Sequence, residues 1–132
     1  MSTAITQTVS SPVIIDSSGW LEYITSDTKA QLFAPYFEGR RPVLVPTIVL
    51  YEVRKTLLLR QSKVLADLFV SEALQRTIVS VDEDIALSAA AVSVQHKLAM
   101  ADALLYATAE REGAEFVTSD AHFKNLPRVT FL

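Results

Sequence analysis

The sequence contains no cysteine. That one absence excludes a disulfide-stapled scaffold, a thiolate zinc site and a thiol nucleophile, and it suits a reducing compartment. Glycine is scarce, with three in 132 residues, and proline numbers five, so long structureless loops are not expected. No apolar run approaches the ~20 residues that a membrane span needs. The opening MSTAITQTVSSP carries neither the basic nor the apolar segment of a secretory signal. A cytoplasmic protein with a polar lead-in over residues 1–11 is expected.

What is plentiful is apolar side chain. Half of the residues are hydrophobic, enough for one filled core over residues 12–132 and too many for disorder. Short apolar runs at Val13–Ile15, Val43–Val45, Thr77–Val79, Glu115–Thr118 and Val129–Phe131 lack alternation, which suits strands buried on both faces of a parallel sheet. Helical spacing fills the intervals. Ser17 or Ser18 can cap a helix through Ile24, and Asp27 the next, which Gly39 ends. Further helices are expected from Thr47 to Leu59, from Gln61 to Gln75 with Leu65, Leu68, Phe69 and Leu74 on one side, after Asp82, and from Asp102 to Gly113. Strands alternating with helices give an α/β sandwich around a mainly parallel sheet.

Several acids fall in unusual places. Asp16 directly follows the first strand, and Asp120 follows the strand ending at Thr118. Open α/β sheets bind ligands in the crevice at those carboxyl ends, so the two carboxylates can converge; each could also serve as a helix cap. Glu52 interrupts the apolar helical run Ile48–Val53. A carboxylate there either faces a polar site or needs a cation, and Lys55 at i+3 is the available one. Asp102 is the only charge between Lys97 and Glu110; taken alone, it reads as a dipole-favoured acid at a helix start. Asp82–Asp84 and Glu110–Glu112 read as solvated helix ends, and Glu22 is ambiguous.

Four carboxylates packed together repel one another unless a cation sits among them. A hard divalent ion such as Mg²⁺ or Mn²⁺ takes oxygen ligands. It acidifies bound water and neutralises charge on a phosphodiester, without needing a serine or histidine nucleophile. The two histidines, His96 and His122, lack zinc-motif spacing. His122 stands either near a scissile strand or in a surface turn. Arg40, Arg41, Arg54, Lys55, Arg60 and Lys63 can follow phosphates or simply face solvent. The net charge of −3 disfavours a nucleic-acid partner only mildly, because neutralising the four acids brings it to about +1.

With these residues assembled, the chain resembles the PIN-domain nucleases, and among them VapC-type toxins of toxin–antitoxin pairs. The resemblance is carried by VIIDSSGWLEYI, VPTIVLYEVRKTLL, KLAMADALLYATAEREGAEFVTSDAHF and NLPRVTFL, nearly everything from Pro12 onward. It implies a three-layer α/β/α fold with a mainly parallel central sheet of four to five strands. It also implies metal-dependent endonucleolytic cleavage of RNA, with Asp16, Glu52, Asp102 and Asp120 as catalytic metal ligands. A homodimer neutralised by a cognate antitoxin follows from the same likeness, as do supporting roles for the hydroxyls of Ser17, Thr118 and Ser119. Trp20, Tyr23, Phe33, Phe37 and the apolar helix from Val64 to Leu74 are expected to supply the surplus apolar surface of those interfaces. Two other readings stay open: a PIN nuclease of RNA processing outside any toxin–antitoxin pair, and a catalytically silent binding module. A phosphoaspartate enzyme is disfavoured because Asp16-Ser17-Ser18 lacks a D-x-D.

Overall fold

The computed structural model describes residues 11–132, and the expected lead-in other than Ser11 lies outside them. The elements are β1 (Val13–Ile15), α1 (Ser17–Ile24), α2 (Ala30–Glu38), β2 (Val43–Pro46), α3 (Thr47–Arg60), α4 (Lys63–Ala73), β3 (Thr77–Val79), α5 (Glu83–His96), α6 (Met100–Glu112), β4 (Glu115–Thr118) and β5 (Val129–Phe131), with a 3-10 turn at Ala121–Phe123. The five strands pair in the order β3-β2-β1-β4-β5, and every pairing is parallel. Val13, Ile14 and Ile15 of the central β1 are fully buried, as the unbroken apolar run requires. The edge strands differ: Thr77 on β3 and Phe131 on β5 are exposed.

Right-handed crossovers decide which helices lie on which face. The chain moves from β1 to β2 to β3 in one direction, so α1–α4 share a face; Trp20 of α1 meets Phe37 of α2 and Phe69 of α4 edge-to-face there. It then returns across the sheet to β4, placing α5 and α6 on the other face. The result is the expected α/β/α sandwich.

Local chemistry corrects several expectations. α1 is capped by Asp16, whose Oδ1 accepts from Ser17 N at 2.7 Å, and not by Ser17 or Ser18. Asp27 does not cap α2 through its side chain; it accepts from Thr28 N, while Glu22 Oε1 takes the Lys29 N–H. Glu22 thereby ties α1 to the start of α2. α4 starts after Ser62, which accepts from Leu65 N; its Phe69 is buried while Leu68 and the following Leu74 are exposed, so these residues do not share one side. α6 begins at Met100, so Asp102 sits in its first turn instead of opening the helix. Trp20, Phe33 and Phe37 are buried core residues, and Tyr23 stacks on Phe37. Trp20, Phe33 and Phe37 therefore offer little to any interface, whereas Tyr23 stays partly exposed.

α1 lies close to the sheet because Gly19 has no side chain. A Cβ there would stand 2.5 Å from Ile15 Cγ2 and 2.6 Å from Phe33 Cε1. Gly19→Ala should destabilise the fold by about 1–3 kcal/mol and lower Tm by roughly 4–10 °C in a thermal melt. An unchanged Tm would mean that α1 does not approach β1 this closely.

Candidate metal centre

In this strand order the connections from β1 and into β4 depart on opposite faces, so the crevice between those two strands opens at their carboxyl ends. Asp16 is the residue after β1, and Asp120 lies two residues after β4. α3 starts at the same edge, directly after β2, and carries Glu52 in its second turn. α6 runs back towards the start of β4, so its first turn, with Asp102, also lies at that edge. Four elements thus bring the four sequence-predicted acids to one end of the sheet.

The acids divide into an inner and an outer pair. Asp16 is 5% exposed and hydrogen-bonded on both oxygens. Oδ1 takes the Ser17 N–H, while Oδ2 takes the Thr118 hydroxyl at 2.8 Å and the Ser18 hydroxyl at 3.1 Å. Burial pushes its carboxyl up to about 6 against the pull of these donors, with Asp102 adding repulsion. Glu52 is half-buried and accepts from Ser17 Oγ at 2.7 Å. No Lys or Arg pairs with it among the described residues: Arg54 turns to Asp67, and Lys55 lies over the Tyr51 ring. The ion pair that would have made Glu52 merely structural is missing.

The outer pair lies closer to solvent. Asp102 is raised, by burial first and then by the charges of Asp120 and Glu52, while His122 pulls the other way. Asp120 accepts from His122 N at 2.9 Å and meets His122 Nδ1 at 2.7 Å; its own N–H reaches Thr118 Oγ1. One ligand atom each from Asp102, Asp120 and His122 lies within 4.8 Å of the others. Such a donor set fits a divalent cation, and the mutual repulsion of the acids is what the ion would relieve. The sequence pointed to all four acids. It did not identify His122 as a potential donor, although its place two residues after Asp120 was the available signal.

A model of the PIN domain family matches residues 13–129. The chain belongs to the PIN domain family. No curated protein matches it, but solved structures do. A toxin–antitoxin complex from Klebsiella pneumoniae aligns with TM-score 0.74 and 19% identity, covering 89% of this chain and 95% of that one. VapC20 of Mycobacterium tuberculosis, a sarcin–ricin-loop-cleaving toxin, aligns with TM-score 0.70 and 19% identity, covering 81% and 87%. VapBC2 from Rickettsia felis, bound to a promoter DNA fragment, aligns with TM-score 0.71 and 16% identity, covering 92% and 97%. Likeness at these identities establishes the fold of this PIN domain.

Of the three hydroxyls expected beside the acids, those of Ser17 and Thr118 contact them, whereas among the described residues no such contact is seen for the Ser119 hydroxyl. Thr118 joins Asp16 to the Asp120 backbone, and Ser17 bridges α1 to Glu52. Ser18 was not anticipated in this role; its Oγ contacts both Asp16 and Ser119 N. The basic residues separate by environment. Arg41 pairs with Glu115 at the opposite edge of the sheet and donates to the Ser11 and Pro12 carbonyls, so it is structural. Arg54 and Lys63 are both held by Asp67. Of the other three, Arg40 is exposed, and Lys55 and Arg60 line a cleft of about 340 Å³ that Glu52 and Tyr51 share.

Proposed function

We propose that this PIN domain is a metal-dependent endoribonuclease and the toxin of a toxin–antitoxin pair. The observation that carries the reading is the convergence of Asp16, Glu52, Asp102 and Asp120 on one sheet edge, with no Lys or Arg paired to Glu52 among the described residues. The toxin reading draws its support from the neighbours described as a toxin–antitoxin complex, a sarcin–ricin-loop-cleaving toxin and VapBC2. The nuclease unit runs from Pro12 to the last residue.

In this reading the four acids hold Mg²⁺ or Mn²⁺. The bound ion supplies an acidified water and neutralises charge on the scissile phosphate. The chain's own residues set the geometry. Thr118 and Ser18 fix Asp16, Ser17 fixes the Glu52 carboxylate, and the turn beginning at Asp120 fixes its side chain against His122. Lys55 and Arg60 beside Glu52 offer cationic contacts to the RNA backbone leaving the site.

A cytoplasmic homodimer with a cognate antitoxin completes the proposal. Among the described residues no helix is long and apolar enough to cross a membrane. Leu59 at 74% exposure and Val64 at 80%, with Leu58, Leu68 and Leu74, give α3 and α4 an apolar surface suited to partners. The deciding experiment incubates antitoxin-free protein with RNA. Cleavage should require Mg²⁺ or Mn²⁺ and stop with EDTA. Undiminished cleavage in excess EDTA would remove the metal-dependent mechanism, and no cleavage with any divalent ion would remove the enzyme reading. Light scattering on the same sample that shows only monomer would remove the dimer.

A further inference from the structure

We propose that His122 supplies a nitrogen ligand to the metal held by Asp102 and Asp120, so that the site prefers Mn²⁺ to Mg²⁺. The inference rests on the metal-dependent reading above and adds a donor of a different chemical kind to the four acids.

Position is the first argument. The imidazole belongs to the 3-10 turn Ala121–Phe123, and that turn is anchored without it. Phe123 is fully buried and packs on Phe116, with ring centroids 4.7 Å apart. The His122 N–H is tied to Asp120 Oδ1 at 2.9 Å. The exposed ring is thereby held over the outer pair of acids, and it reaches the same 4.8 Å cluster as Asp102 and Asp120. Its Nδ1 stands 2.7 Å from Asp120 Oδ1. Neighbouring ligands of an ion bound at about 2.1 Å lie about 3 Å apart, so a small opening of this pair accommodates a cation in place of the shared proton. The other histidine, His96, packs against the Tyr106 ring.

Donor chemistry is the second argument. An all-carboxylate set suits Mg²⁺ as well as Mn²⁺. Imidazole nitrogen suits transition metals, whereas Mg²⁺ keeps to oxygen and water and demands near-ideal octahedral geometry. One nitrogen beside two carboxylates therefore strengthens Mn²⁺ binding and adds little for Mg²⁺.

The test is spectroscopic. Full-length protein loaded with Mn²⁺ should show a directly bonded nitrogen in pulsed EPR, and His122→Ala should abolish that signal. Since the side chain is 77% exposed, the variant should fold normally, which a circular-dichroism melt checks. By titration, His122→Ala should weaken Mn²⁺ binding by about tenfold or more, the loss that follows removal even of groups that only support a ligand, and change Mg²⁺ binding much less. Bound Mn²⁺ without a nitrogen signal, or an equal loss for both ions, would overturn the ligand role and leave the four-acid site standing. Failure of the wild-type protein to bind Mn²⁺ at all would overturn both.

Discussion

Asp102→Asn is expected to lower RNA cleavage by on the order of 10²–10⁴, since the several kcal/mol of charge stabilisation that a metal supplies converts to that range at 1.36 kcal/mol per tenfold. The substitution keeps size and hydrogen-bonding capacity and removes one charge from the outer pair. It removes no cap, because the α6 cap position is Ala99 and no side chain serves there. Metal-free stability should stay level or rise slightly. The loss of a first-turn acid, worth about 0.5 kcal/mol, is opposed by relief of the repulsion from Asp120 and Glu52 that raises the Asp102 carboxyl. A third readout separates ligand from bystander: Mn²⁺ should raise the Tm of the wild-type protein by mass action and barely move that of the variant. Near-wild-type cleavage together with an intact Mn²⁺ response would show that Asp102 serves only the helix dipole.

The residues explain why some features could be read from sequence and others could not. The strands were legible because β1, β2 and β4 are buried runs whose period leaves no amphipathic alternative, and Val13–Ile15 ends where the aspartate begins. The acids were legible because each breaks a local pattern, as Glu52 does within Ile48–Val53. Caps were harder to assign. Asp16 was weighed as either a cap or a site residue, with the serines free to cap in its place; in the structure its Oδ1 caps α1 while Oδ2 gathers the Ser18 and Thr118 hydroxyls. A carboxylate has enough lone pairs for both tasks, so the two readings never excluded one another. Helix faces were misjudged where two apolar surfaces share one helix. On α4, Ala66, Phe69 and Ala73 face the core, while Val64, Leu68 and Leu74 at its C-cap face outward. Periodicity alone cannot say which apolar stripe is the inner one. The same ambiguity assigned Trp20, Phe33 and Phe37 to an interface although they fill the core. His122 went unassigned as a donor because its relation to Asp102 depends on tertiary placement, with α6 and the turn after β4 meeting at one sheet edge.

Asp16→Asn should stabilise the metal-free protein at neutral pH while abolishing cleavage, and the gain should depend on pH in a specific way. Burial is the main cause of the raised Asp16 carboxyl, which titrates at about 6 in the folded chain against an ordinary 3.8. Between those values the native state holds a proton that the unfolded chain has released. The stability associated with the neutral carboxyl is therefore fully present below 3.8 and is lost as pH rises through about 6. At pH 7 and above the folded protein carries a buried charge at a cost on the order of 3 kcal/mol. Asparagine is neutral at every pH and can remain hydrogen-bonded to Ser18 and Thr118, whose hydroxyls can turn to accept. The Tm difference between variant and wild type should be near zero at pH 4, rise through pH 5–6 and level off above pH 7. Melts in EDTA across that range measure it directly. Saturating Mn²⁺ should reverse the order at pH 7, because the ion supplies the wild-type carboxylate with the counter-charge that its burial withholds. A difference that stays flat from pH 4 to pH 8, or one that favours the wild type in EDTA, would mean that Asp16 is ionised without penalty, and the strain assigned to the centre of this site would not exist.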